Sequence, residues 1–162
     1  MAITYEPIQT YTLGSTSSTI TFSSIPATYT DLRVTLTGTS TSAGAGIDLY
    51  FNGSTGNCSQ TFLLGNGTSA TTGRRTSAGI IALNDTGMST TIPSFYSIDI
   101  FSYAGSAFKT CLITANEDRN GSGTVERRVG LWSNTAAITQ VNLGASSFAT
   151  GTTATLYGIK NA

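Results

Sequence analysis

The stretch DLRVTLTG reads Asp31-Leu32-Arg33-Val34-Thr35-Leu36-Thr37-Gly38, apolar and polar residues in strict alternation. Successive side chains of an extended chain point to opposite faces. Leu32, Val34 and Leu36 therefore share one face, and Arg33, Thr35 and Thr37 share the other. That is the pattern of a strand with one side buried. GIDLYFNG repeats it with Ile47, Leu49 and Phe51, and TITF at 19–22 repeats it with Ile20 and Phe22.

Working outward, the same period marks strands at 6–13, 59–64, 77–83, 94–103, 107–114, 124–132, 137–143 and 153–160. This gives about eleven candidates in all. No window of helical length carries an i, i+3, i+4 apolar stripe. Turn signals separate the strands: Asn52-Gly53, Asn66-Gly67, Asp85-Thr86-Gly87, Ala104-Gly105-Ser106 and Asn120-Gly121. Asn and Gly accept the positive φ that tight reversals need. FSYAGSAFKT reads as a hairpin, and Gly38–Gly46 and Gly65–Arg75 read as flexible surface loops or partner-contacting tips. Serine and threonine supply nearly a third of the chain. Threonine suits a half-exposed strand, because its branched β-carbon fits the pleat and its hydroxyl faces water. The expectation is one all-β domain over 1–162, an antiparallel, jelly-roll-like β-sandwich of about eight to eleven strands. Segment 1–14 stands apart, either an extended N-terminal arm or an ordinary edge strand, because Pro7 weakens pairing.

Composition narrows the function. Of 162 residues, 39% are apolar and 10% charged, and eight basic residues balance eight acidic ones. That balance provides no field for nucleic acid or an anionic membrane. No apolar run nears the roughly 18 residues of a membrane span. The opening MAITYEPIQTYTLG lacks the regions of a Sec-type signal. Cys58 and Cys111 read as two buried thiols, with a bridge as the alternative. Histidine is absent, which removes Ser-His-Asp and Cys-His catalysis and histidine-ligated zinc. No catalytic, cofactor or metal residue is assigned.

The weaker signals in the sequence have plainer readings. A glycosidase needs two carboxylates about 5–10 Å apart across a cleft. Only Glu117 and Asp118 are adjacent, and they lie in NEDRNGSG, which reads as a polar hairpin turn better than as a calcium loop. Asp99 alternates with Ile98 and Ile100, so it faces solvent or pairs with an arginine. The doublets Arg74-Arg75 and Arg127-Arg128 each split between two faces, with ion pairs to Glu126, Asp99 or a neighbouring subunit. With Val129 and Leu131 facing inward, Trp132 turns at least partly outward, as do Tyr50 and Tyr103. Exposed rings can stack on sugars or be covered by a subunit.

YEPIQTYTLG, TITFSSIPATYTDLRVTL, DIFSYAGSAFKT, VGLWSNTAAITQVNL and FATGTTATLYGIK form a series along nearly the whole chain. The closing segment from Phe148 through Tyr157-Gly158-Ile159-Lys160 is its most distinctive part. Together these segments resemble small Ser/Thr/Gly-rich β-sandwich accessory virion proteins of tailed bacteriophages, of the cyanophage and marine-phage type. The resemblance implies a non-enzymatic structural component, either capsid decoration (cement) or a tail-fibre or tail-tip part. The first expectation is a capsid decoration protein that binds the major capsid protein and copies of itself, as a homotrimer. It would be made in the host bacterial cytoplasm and carried on the virion. Tyr5, Pro7, Ile8, Tyr11 and Trp132 are then the expected partner contacts. The alternative is a tail module that binds a host surface glycan through Tyr50, Tyr103 and Trp132. Neither expectation involves nucleic acid, membrane or cofactor.

Overall fold

The computed structural model describes residues 4–160. The strands are β1 (Thr4–Thr12), β2 (Ser17–Phe22), β3 (Asp31–Gly38), β4 (Ile47–Phe51), β5 (Cys58–Gly65), β6 (Ala70–Ala78), β7 (Ile81–Ala82), β8 (Ser94–Phe101), β9 (Lys109–Asp118), β10 (Gly123–Trp132), β11 (Val141–Phe148) and β12 (Thr153–Lys160). No helix occurs among the described residues. The strands form two antiparallel sheets, an eight-stranded one in the order β1-β12-β3-β8-β9-β10-β5-β6 and a four-stranded one in the order β2-β11-β4-β7. The expected all-β sandwich is what the chain builds. Pairing nests inward from the chain ends, β1 with β12 and β2 with β11, in the manner of a jelly roll.

The alternating strands bury the faces their sequences announce. Leu32, Val34, Leu36, Ile47, Leu49, Phe51, Ile20 and Phe22 all lie in one core between the sheets, with Tyr96, Ile98 and Ile100 of β8 and Leu156 of β12. Segment 1–14 is an edge strand over Thr4–Thr12, and residues 1–3 of that segment lie outside the described residues. Its register shifts between Pro7 and Gln9. The shift places Tyr5 and Pro7 opposite Ile159 and Tyr157, but Tyr11 opposite Ala154. An irregularity of this kind re-aims side chains and suits a proline that lacks an N–H.

Two expectations need correction. Gly65–Arg75 is not a loop: only 66–69 turns, and β6 begins at Ala70. The strand was hidden because Thr71, Thr72, Arg74 and Arg75 are all exposed at a sheet edge, where neither face supplies an apolar period. The candidate at 77–83 is likewise the end of β6, then β7, which belongs to the other sheet.

Glycine is demanded at Gly158 by a close approach: a β-carbon there would lie 2.3 Å from the Tyr29 ring. The most distinctive segment of the sequence thus contains a seat for an aromatic ring. The turns at Asn52-Gly53 and Asn120-Gly121 use positive φ at both residues, as their sequences require.

Candidate binding face

The outer face of the eight-stranded sheet is built by strand parity and register. From β8 it presents Phe95, Ser97, Asp99 and Phe101, and from β9 Thr110, Leu112 and Thr114. From β10 come Val125, Arg127, Val129 and Leu131, and from β5 Ser59, Thr61 and Leu63. β6 closes the face with Ala70, Thr72, Arg74 and Thr76. Val125 is 65% exposed, Leu63 51% and Val129 48%, and Phe95 and Phe101 are exposed on the same face two strands away, across Asn116 and Thr110 of β9. Several large apolar side chains held on rigid neighbouring strands form a patch of the kind that marks an interaction surface.

Two grooves run across this patch. One, of about 270 Å³, is lined by Val129, Leu131, Ser59, Thr61, Thr76 and Arg74. The other, of about 250 Å³, is lined by Leu63, Leu64, Ala70, Val125 and Arg127. A third, open groove of about 340 Å³ lies between the 66–67 turn and the β9–β10 turn and holds Glu117 and Asp118. Glu117 there is already engaged by Arg119 and by Ser94 Oγ at 2.9 Å.

β10 is in the opposite phase to the one expected. Val129 and Leu131 face outward, and the inward set is Glu126, Arg128, Gly130 and Trp132. Trp132 is 1% exposed and packs its ring 5.5 Å from that of Phe51. The inward position 130 takes glycine because a β-carbon there would stand 2.7 Å from Cys111 Sγ. The two inward charges neutralise each other. Arg128 Nε donates to Glu126 Oε2 at 3.1 Å, Nη2 donates to the same oxygen, and Nη2 also forms an ion pair with Asp85 Oδ1 at 3.0 Å. Glu126 also accepts the Asp85 backbone N–H at 3.1 Å, and the Arg128 guanidinium lies 4.5 Å over the Phe62 ring. The strand thus trades a buried ion pair for placement of its largest ring in the core.

The other expected contact residues separate. Tyr103 is buried, because Ser102 takes a φ of 50° after the end of β8 and turns the chain inward. Its hydroxyl donates to Pro26 O and accepts the Tyr29 N–H at 3.3 Å. Tyr50 is half-buried on the outer side of the four-stranded sheet, opposite Asn142. Trp132, Tyr103 and Tyr50 therefore make no common ring platform, and the outward placement expected of Trp132 and Tyr103 is corrected. In β1, Tyr5 is exposed and Arg33 stacks 5.2 Å over its ring, while Pro7 is exposed at the edge. Ile8 packs partly against the core, and the ring of Tyr11 sits 5.4 Å from that of Phe22.

The charged groups fall into three kinds. Asp99 pairs with Arg33 at 2.5 Å, Arg75 with Asp85 at 2.9 Å and Lys160 with Glu6 at 3.0 Å. Buried Lys109 donates to the carbonyls of Gly105, at 2.6 Å, and Ala107, clamping the β8–β9 turn, and burial lowers its pKa. Arg74 and Arg127 have no carboxylate partner among the described residues; Arg127 Nη1 donates to Thr114 Oγ1 at 2.7 Å. Both cysteines are free and buried, as two thiols.

No family model matches the chain, and no curated protein matches it. Among solved structures, the chain is similar to Caenorhabditis elegans galectin LEC-6 at 10% identity, with 94% of this chain and 96% of that chain covered and a TM-score of 0.40. The sandwich assignment rests on the strand pairing itself.

Proposed function

We propose that this chain is a non-enzymatic accessory structural protein of a tailed-phage virion. It acts as a capsid decoration (cement) protein that seats the outer face of its eight-stranded sheet on the major capsid protein. The observation that carries this reading is the apolar face itself. Leu63, Val125 and Val129 lie exposed on neighbouring strands, and Phe95 and Phe101 are exposed on the same sheet face, on strands that cannot fold over to cover them. The sequence resemblance supplies the virion setting, with synthesis in the host cytoplasm and assembly as a homotrimer. Symmetry then multiplies modest contacts per subunit into firm attachment over a repetitive shell. Low overall charge suits a contact that must hold in water of varying salinity. A glycan platform on Trp132 and Tyr103 is not part of the proposal, since both rings lie in the core.

The test is co-sedimentation with shells assembled from the major capsid protein of the same genome. Wild-type protein should saturate the shells at a fixed ratio, and Leu63→Ser/Val125→Ser should fail to bind while remaining folded. Equal occupancy by the variant would refute the assignment of the face, and no binding by the wild type would refute the capsid role.

A further inference from the structure

We infer that the partner covering this face presents carboxylates among its apolar side chains, spaced to meet Arg74 and Arg127. The inference rests on the outer face being a docking surface and adds the chemistry of what it takes. Each of the two apolar grooves is flanked by one arginine, Arg74 beside Val129 and Leu131, and Arg127 beside Leu63 and Val125.

The chain's other cations are accounted for internally. Arg33, Arg75, Arg119, Arg128 and Lys160 each hold a carboxylate, and Lys109 is spent on backbone carbonyls. Among the described residues, then, the cations left for an outside carboxylate are the two on this face. The carboxylates on the rest of the face are Asp99, which Arg33 already occupies, and Asp118 at the far end of β9, which accepts the Asn120 N–H at 2.8 Å.

Register fixes the spacing. Arg127 stands opposite Leu63 and Leu63 opposite Thr72, while Arg74 lies two residues beyond Thr72 on β6. Two strand spacings across and two residues along separate the Cα atoms by about 12 Å. Two cations on apolar floors are too few and too dry for a phosphate backbone, which is held by many basic contacts. An arginine fork beside a greasy groove instead matches a carboxylate beside an apolar side chain.

The experiment uses the full chain and three sets of synthetic peptides on beads, in which apolar residues alternate with Asp/Glu, with Ser or with Lys. Heparin beads form a fourth arm. Wild-type protein should be retained on the acidic-apolar set about fivefold to tenfold over the Ser set, the increment expected of two exposed charge pairs. That preference should shrink as salt rises. Arg74→Gln/Arg127→Gln should bind the acidic and Ser sets equally. Leu63→Ser/Val129→Ser should lose retention on every set, with folding checked by Trp132 fluorescence. Equal retention of wild type on acidic and Lys sets, an unchanged preference in the arginine double variant, or stronger binding to heparin would overturn the inference. Acidic-peptide preference without any binding to capsid shells would retain it and remove only the capsid reading.

Discussion

Arg128→Met probes the buried charge of β10 most sharply. The substitution keeps much of the side-chain volume but removes the guanidinium that satisfies Glu126, whose side chain is fully buried. Glu126 would retain only the Asp85 backbone N–H, and Asp85 would keep Arg75. Breaking a buried pair by removing one partner leaves an uncompensated charge and costs about 3–5 kcal/mol. Replacing both partners removes that penalty, so Glu126→Gln/Arg128→Met should lie within about 2 kcal/mol of wild type. Urea unfolding at neutral pH, followed by the fluorescence of Trp132, the one tryptophan, measures both variants. The result that refutes the reasoning is an Arg128→Met variant within about 0.5 kcal/mol of wild type, the range of ordinary surface substitutions. Glu126 and Arg128 would then face water, and the phase of β10 would be reversed.

Three further outcomes are expected. In urea unfolding followed by circular dichroism, Trp132→Ala should cost about 3–5 kcal/mol, as for a buried aromatic, whereas Val129→Ser should cost under about 0.5 kcal/mol; the reverse ranking would contradict the parity of β10. Burial raises the Asp48 carboxyl pKa, with Arg75 opposing the shift. The folded chain therefore keeps that proton to higher pH than the unfolded chain, and stability falls as pH rises from the ordinary carboxylate value through the raised one. Asp48→Asn should remove this decline and be more stable than wild type at neutral pH, and parallel pH–stability curves would disprove it. Finally, burial pushes the Cys111 thiol up to about 12 and also raises Cys58; at pH 8 a thiol-disulfide reagent should leave both native thiols untouched and titrate both in guanidinium chloride.

Legibility in the sequence followed the apolar period. β3 and β4 alternate one apolar set against one polar set, so their buried faces could be read without structure. β10 offers two competing alternations. Val129 and Leu131 form the more hydrophobic one, yet the inward set holds a charge pair, a glycine and Trp132. Periodicity counts residues one at a time and cannot see that Glu126 and Arg128 cancel, or that the ring of Trp132 outweighs two smaller side chains. β6 escaped because an edge strand open on both faces leaves no apolar trace. Tyr103 is not legible from alternation, because parity does not survive the positive φ at Ser102. The outer apolar face is illegible for the same reason as the phase of β10: Val129 and Leu131, the more hydrophobic alternation, read as core. The signal that could have found it was the unequal size of the two β10 alternations, with the only tryptophan in the more charged one.

The proposed role requires the outer face of the eight-stranded sheet to be the surface that docks. Hydroxyl-radical footprinting of the free chain against the chain bound to assembled shells reads that face directly. Phe95, Phe101, Leu63 and Val129 should lose reactivity on binding, while Tyr50, on the opposite sheet, should keep it. Protection of Tyr50 with Phe95, Phe101, Leu63 and Val129 unchanged would contradict the account.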